Sequence, residues 1–214
     1  ISDVWISHTH LSHVDGLRQF GEASMGLKGV NLRCSQLVAK EMMSNKWIEE
    51  LVYDGTFELQ IWNEGEVIRL DDEYSVLPIL VPHRNLNSDT HAFLISYKDN
   101  KLLYLTDHDS WSETLACVGH NTPLEWFNAI GADIVMIDGT FWSSSELKNR
   151  NQDDVPHPPI EETLDLLGER KEGDPRVIFT HINHTNPILK TSGDEYIRLK
   201  SMGWEVAREG QNFE

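Results

Sequence analysis

The sequence predicts a layered α/β fold, and three observations carry that prediction. Short apolar runs alternate with stretches of helical periodicity, separated by clusters of turn-forming residues. Four of the apolar runs end in a polar residue able to bind a metal: Val4-Trp5-Ile6 leads to His8, Ser75–Val81 to His83, Leu103–Leu105 to Asp107 and Val177–Phe179 to His181. Layered α/β folds gather their sites where strands end and loops begin, so four such tips meeting at one rim would assemble a coordination sphere from distant sequence. Third, the chain is 39% hydrophobic over 214 residues, enough for a sizeable core, yet no window holds the ~18 uncharged apolar residues of a membrane span. One domain over residues 1–214 is expected.

Taken in order, Val4–Ser7 reads as a buried strand and Val14–Phe20 as a short helix after the histidine loop. Val30–Cys34 is a second strand, and Ser35 suits the cap of a helix through Leu37, Val38 and Met42. Phe57-Leu59-Ile61, Val67–Leu70 and Ser75–Val81 are strand-like, and Pro82-His83 closes the last of them. His91–Tyr97 and Leu102–Leu105 flank Lys98-Asp99-Asn100-Lys101, a hairpin turn. Pro123–Ile130 is helical, with Gly131 at its C-terminus. Ile134–Ile137 is a strand ending at Asp138-Gly139, and Ser143–Gln152 a polar loop. Pro159–Leu167 is a helix with proline in its first turn, Val177–Phe179 a strand, Asp194–Met202 a helix and Trp204–Ala207 a last strand. There is no internal repeat. The chain opens at Ile1 almost inside a strand, without a charged-then-apolar leader, so a further N-terminal portion and no signal peptide are expected.

A net charge of −17 disfavours a phosphate backbone as partner, so no nucleic acid is expected, and no membrane either. Cys34 and Cys117 make neither a disulfide framework nor a Cys-x-x-Cys site, which fits a reducing cytoplasm. The unusual feature is ten clustered histidines. Ile6–Leu17 contains His8, His10 and His13 in the pattern H-x-H-x-x-H. Buried neutral imidazoles lose solvation unless partnered, and three on one loop can converge on a single ion. Asp15, at the start of the following helix, suits either a contact to a ligand histidine or the helix dipole.

With its later His, Asp and His each at a strand end, the chain resembles the metallo-β-lactamase superfamily, whose signature is H-x-H-x-D-H followed by those three residues. The match runs from Val4 to about Pro187. It implies an αββα four-layer sandwich, two mixed sheets with helices outside and the metal rim at one edge. It also implies the ligand set His8, His10, His13, His83, Asp107 and His181, with His184 an alternative to His181. Ser12 stands where the family has aspartate. A neutral hydroxyl is a poor ligand for a hard divalent ion and no base near neutral pH. One tightly held ion, or two of unequal affinity, is therefore expected, and the usual two-metal hydrolysis is in doubt.

Longer strings resemble the coenzyme PQQ synthesis protein B family: Val81-Pro82-His83-Arg84 with Ser88-Asp89-Thr90, Ile137–Trp142, His157-Pro158-Pro159-Ile160 and Thr180–Pro187. That likeness implies a small-molecule or peptide-derived substrate and either metal-activated water or, with iron, dioxygen chemistry. Zinc or iron, with manganese also compatible, suits the ligand set. The family's cysteine-rich zinc knuckle has no counterpart here. The order Asp138, Thr140-Phe141, His157 and His181 also looks like the ribonuclease Z branch, in which the loop histidine assists catalysis. His157 is thus a candidate general acid or substrate contact, Asp138 its orienting carboxylate, and Ser12 the third residue of a candidate catalytic set. Arg84, Asn183 and His184 are candidate substrate contacts, Arg84 for a carboxylate. Asp89 is placed behind a ligand histidine. His91, His108 and His120 read as structural or surface residues, and Trp111 and Trp142 as core rather than pocket wall. A ribonuclease Z-like phosphodiesterase and a non-catalytic metal- or metabolite-binding protein are the rival functions, the former opposed by the charge. A homodimer is compatible with all of this.

Overall fold

The computed structural model describes residues 1–84, 87–147 and 155–212. In chain order its elements are β1 (Asp3–Trp5), α1 (Leu11–Val14), a 3-10 helix (Asp15–Phe20), β2 (Val30–Cys34), α2 (Gln36–Met43), α3 (Lys46–Tyr53), β3 (Phe57–Ile61), β4 (Ile68–Arg69), β5 (Tyr74–Val81), β6 (Thr90–Tyr97) and β7 (Asn100–Leu105). There follow α4 (Trp111–Val118), α5 (Pro123–Ala129), β8 (Ile134–Asp138), α6 (Ile160–Leu167), β9 (Arg176–Thr180), α7 (Asp194–Ser201) and β10 (Glu205–Val206).

The strands form a three-stranded sheet in the order β1-β2-β3 and a seven-stranded sheet in the order β10-β9-β8-β7-β6-β5-β4. Alternation along β6 decides the layering. Ala92 and Leu94 face a core shared with α4, α5, α6 and α7, in which Trp111, Phe127, Leu164 and Leu199 are buried. Phe93 and Ile95 point the other way, into a core shared with the smaller sheet and with Val38, Met42 and Ile48 of α2 and α3. The expected αββα sandwich is therefore present. One detail differs: both pairings of the smaller sheet are parallel, so only the larger sheet is mixed.

Local chemistry accounts for the helix ends. Ser35 Oγ accepts the Val38 amide at 3.1 Å, as its position ahead of α2 predicts. Thr122 and Glu125 form a capping box around Pro123. Pro159 sits at the cap of α6, which begins at Ile160, one residue later than expected. Two helices were not anticipated, α3 and α4, although Ser110 accepting the Glu113 amide and Gly119 in left-handed backbone bound α4 as capping rules require. The helix after the histidine loop begins at Leu11 rather than Val14, which puts Ser12 and His13 inside its first turn. Trp111 and Trp142 belong to the core, as expected, and Trp111 Nε1 donates to Thr163 Oγ1 at 2.8 Å. Of the polar loop Ser143–Gln152, residues 148–152 lie outside the described residues. Among the described residues no helix is long and apolar enough to cross a membrane.

Candidate metal centre

Strand direction brings the tips together. β6 is antiparallel to both β5 and β7, and β7, β8 and β9 are parallel, so β5, β7, β8 and β9 all run the same way. Their C-terminal ends share one edge. Register is matched as well: Leu105 pairs with Ile137 and Ile137 with Phe179, so the chains emerge side by side into Asp107, Asp138 and His181. His8, His10 and His13 arrive from the smaller sheet, on a loop tied to β6 by the His91 amide donating to the Ser7 carbonyl at 3.1 Å.

The first cluster is His8, His10 and His83. His8 Nε2 lies 3.0 Å from His10 Nδ1, which lies 3.3 Å from His83 Nε2. Nitrogens held ~2.0–2.1 Å from a tetrahedral zinc stand about 3.3 Å apart, so this spacing is that of a ligand set. Two of the three rings have a hydrogen-bond partner on the nitrogen turned away from the cluster. His10 Nε2 is 3.2 Å from the Arg84 carbonyl, which can only accept, so Nε2 carries the hydrogen and Nδ1 keeps its lone pair. Ser7 Oγ is 3.0 Å from His8 Nδ1, whereas Asp109 Oδ1, 3.1 Å from His83 Nδ1, stands as an ion-pair neighbour out of line for a hydrogen bond. Burial pushes the His8 imidazole down to about 3 against the pull of Asp107, and burial likewise lowers His13 and His83. Burial thus favours the neutral form of His8, His13 and His83, the form metal ligation requires.

Asp107 stands at the centre of a second cluster. Its side chain is 3% exposed, with Oδ1 3.6 Å from His13 Nε2, 3.8 Å from His83 Nε2 and 3.9 Å from His8 Nε2, and Oδ2 3.8 Å from His181 Nε2. Burial alone would raise its carboxyl, but the facing His181, His13 and His8 rings outweigh that and hold it at about 2. Oδ2 is buried without a hydrogen-bond partner. An ionised, buried carboxylate oxygen with nothing to accept is costly in a metal-free protein and is what a cation would satisfy. The residues therefore fit a metal.

Beside it, Asp138 accepts the Thr140 amide at 2.8 Å and hydroxyl at 2.6 Å on Oδ1, while Oδ2 makes a short contact to His157 Nδ1. Burial lowers the His157 imidazole, but that bond to Asp138 and the charges of Asp138, Asp107 and Asp109 outweigh burial and raise it. The His157 ring centroid lies 5.4 Å from that of His83 and 5.6 Å from that of His181. His181 sits in left-handed backbone at φ 56°, which costs a non-glycine residue on the order of 1 kcal/mol and turns its ring toward Asp107. Gly139 allows this: a Cβ there would lie 2.8 Å from the Thr180 carbonyl oxygen.

A cleft of about 740 Å³ opens over the cluster, lined among others by Ser12, Arg84, Val155 and His157. Ser12 is exposed at its mouth. Among the described residues that line the cleft, Asn183 and His184 do not figure; Asn183 Nδ2 donates to Thr185 Oγ1 at 2.7 Å, and His184 is exposed. Asp15 accepts from Arg18 Nε at 2.8 Å. Asp89 accepts from Ser35 Oγ and lies 4.0 Å from His91, so the histidine it stands beside is not one of the six proposed ligands. Sequence reasoning missed Ser7, Asp109 and the role of Thr140; their only signal was adjacency to a motif histidine or aspartate.

The chain matches the β-lactamase superfamily domain over residues 1–182. It is 24% identical to coenzyme PQQ synthesis protein B of Acinetobacter baumannii (strain ACICU) over 234 aligned residues, covering 100% of this chain and 73% of that protein. The crystal structure of zinc-bound PqqB from Methylobacterium extorquens superposes with a TM-score of 0.77 at 20% identity, over 100% of this chain and 73% of that one. An isothiocyanate hydrolase from Delia radicum gut bacteria gives a TM-score of 0.61 at 14% identity, over 99% and 75%. Two packed sheets, strand tips aligned on one edge and a histidine–aspartate cluster at their ends agree with those matches, and the chain belongs to the β-lactamase superfamily.

Proposed function

We propose that this protein is a metal-dependent enzyme acting on a small-molecule or peptide-derived substrate held in the cleft over the histidine cluster. The observation that supports this most is the orphaned Asp107 Oδ2 among four histidines on the floor of an open cleft. His8, His10 and His83 would hold one ion, and His13, Asp107 and His181 a second, weaker one for want of a carboxylate at Ser12. Zinc there would supply Lewis acidity toward water and substrate oxygens, and iron would add dioxygen chemistry.

The chain's own groups supply the rest. Asp138 takes the Nδ1 hydrogen of His157, fixes the ring and favours its protonated form, so His157 suits the delivery of a proton to a leaving group. Arg84, at the cleft wall, suits a substrate carboxylate. Ser12 is too weak a base to activate water, so its part is limited to hydrogen bonding at the mouth. The likeness to coenzyme PQQ synthesis protein B supports a peptide-derived substrate, and two free cysteines, Cys34 buried and Cys117 exposed, fit the reducing cytoplasm.

Metal identification on anaerobically purified protein, followed by turnover assays, tests the proposal. Zinc with hydrolysis of an ester, lactone, phosphodiester or peptide supports the hydrolytic form, and iron with oxygen consumption the oxidative form. Full metal loading with no turnover on any of these would leave a metal-binding protein instead.

A further inference from the structure

Thr140 occupies a position whose chemistry can be settled by counting hydrogens. Its Oγ1 lies 2.6 Å from Asp138 Oδ1, 2.9 Å from His181 Nδ1, 3.1 Å from the His181 carbonyl oxygen and 3.3 Å from His157 Nδ1. A hydroxyl has one hydrogen to give. The shortest of these contacts, and a charge-assisted one, is to the Asp138 carboxylate, so the hydrogen goes there. Toward His181 Nδ1 the oxygen can then only accept. The hydrogen of His181 must therefore sit on Nδ1, and Nε2, the nitrogen facing Asp107, keeps its lone pair.

The backbone is built around this contact. Gly139 lets the end of β8 lie against the end of β9, the Asn183 amide donates to the Thr140 carbonyl at 3.1 Å, and Asn186 Nδ2 donates to the same carbonyl at 3.2 Å. Asp138 meanwhile spends Oδ1 on Thr140 and Oδ2 on His157. We infer that Thr140 is a positioning residue that sets the tautomer of His181 and ties the last metal ligand to the Asp138–His157 pair through one shared carboxylate. In most histidine metal sites the outer partner is a carboxylate or carbonyl in direct contact. Here a threonine hydroxyl would relay the carboxylate's influence to one histidine while the carboxylate itself serves another.

His181 enters here as a metal ligand, as proposed above, and the experiment separates the two ideas. Zinc affinity is measured by chelator competition on the full chain for the wild type and for Thr140→Val, Thr140→Ser and His181→Ala. Imidazole nitrogen NMR on metal-free wild type reads the His181 tautomer directly, whatever the zinc stoichiometry. Thr140→Val should weaken the more weakly held zinc about tenfold to a hundredfold, the range for loss of an outer partner, and leave the tighter one unchanged. Thr140→Ser, which keeps the hydroxyl, should restore it, and His181 should be an Nδ1–H tautomer. An Nε2–H tautomer in the wild type overturns the inference, as does unchanged zinc affinity in Thr140→Val alongside clear loss in His181→Ala. Equal loss of affinity in the valine and serine variants overturns it too, since only packing would then be at issue. Should His181→Ala itself leave zinc binding intact, the ligand assignment fails and Thr140 with it.

Discussion

Gly139→Ala is the smallest change that should disturb the whole centre. Gly139 does not sit in left-handed backbone, so alanine meets no torsional barrier there; the obstacle is space. The new Cβ would lie 2.8 Å from the Thr180 carbonyl oxygen and 3.2 Å from Phe179 Cβ. Neither neighbour is the far end of a flexible side chain. To reach ordinary contact distance the ends of β8 and β9 must part by roughly 0.5 Å. Overpacking of this kind costs about 1–3 kcal/mol, which for a chain of this size lowers Tm by roughly 2–12 °C. The displacement falls on Thr140 and His181, and ligand constellations tolerate only about 0.5 Å of error. Zinc affinity should therefore drop about tenfold or more as well. Gly16→Ala is the control: no atom lies within 4 Å of its Cβ position, so stability should change by under about 1 kcal/mol. Differential scanning fluorimetry of metal-free protein and chelator competition read both effects. Were Gly139→Ala to melt and bind zinc like Gly16→Ala, the close approach of β8 and β9 would not be what aligns the site.

Other consequences are direct. His8→Ala and His83→Ala should each cut bound zinc sharply in element analysis, and a double variant retaining full metal would remove the assigned site. Ser12→Asp should raise zinc stoichiometry toward two per chain, or tighten the weaker ion, because a carboxylate would then face it from the first turn of α1; unchanged stoichiometry and rate would detach position 12 from the second ion. Asp138→Asn should lower the imidazole pKa of His157, whose elevation depends on that carboxylate, so the limb of the pH–activity profile that requires a protonated group should move to lower pH. The linked stability has the same sign. A histidine with a raised folded pKa stabilises the protein below its unfolded value near 6.5, and the benefit disappears as pH rises through the folded pKa. Asp138→Asn should flatten that dependence in urea melts at several pH values.

Much of the site was legible because metal chemistry is written in residue types. Histidines at H-x-H-x-x-H and at strand ends have few competing explanations, and five of the six proposed ligands have a ring nitrogen. The Asp138–His157 pair was also anticipated, and the structure joins it through Nδ1. What failed was local and polar. Asp89 looked like a partner for a ligand histidine, but the cap position of Ser35 draws it toward α2 instead. Asp109, 3.1 Å from His83 Nδ1, carries no signal in the sequence because an ionic neighbour of a ligand histidine leaves no spacing pattern. α3 and α4 escaped notice since short amphipathic helices compete poorly with loop signals such as Ser-Asn and Asp-His-Asp-Ser.

By itself the sequence determined that strands end in metal-competent residues, that one expected carboxylate is a serine, and that the surface is strongly acidic. Each is a property of residue identity or of alternation along a single strand, and needs no knowledge of neighbours. Tertiary structure alone decided which nitrogen of each histidine faces the centre, that Asp107 Oδ2 is left without a partner, and that the Asn183 side chain turns to Thr185. These depend on strand direction and register across 70 or more residues of chain, as in the 73-residue separation between His10 and His83, and on a left-handed turn at His181 that no propensity for histidine predicts. Ligand types are local, whereas their convergence depends on how β5, β7, β8 and β9 share an edge.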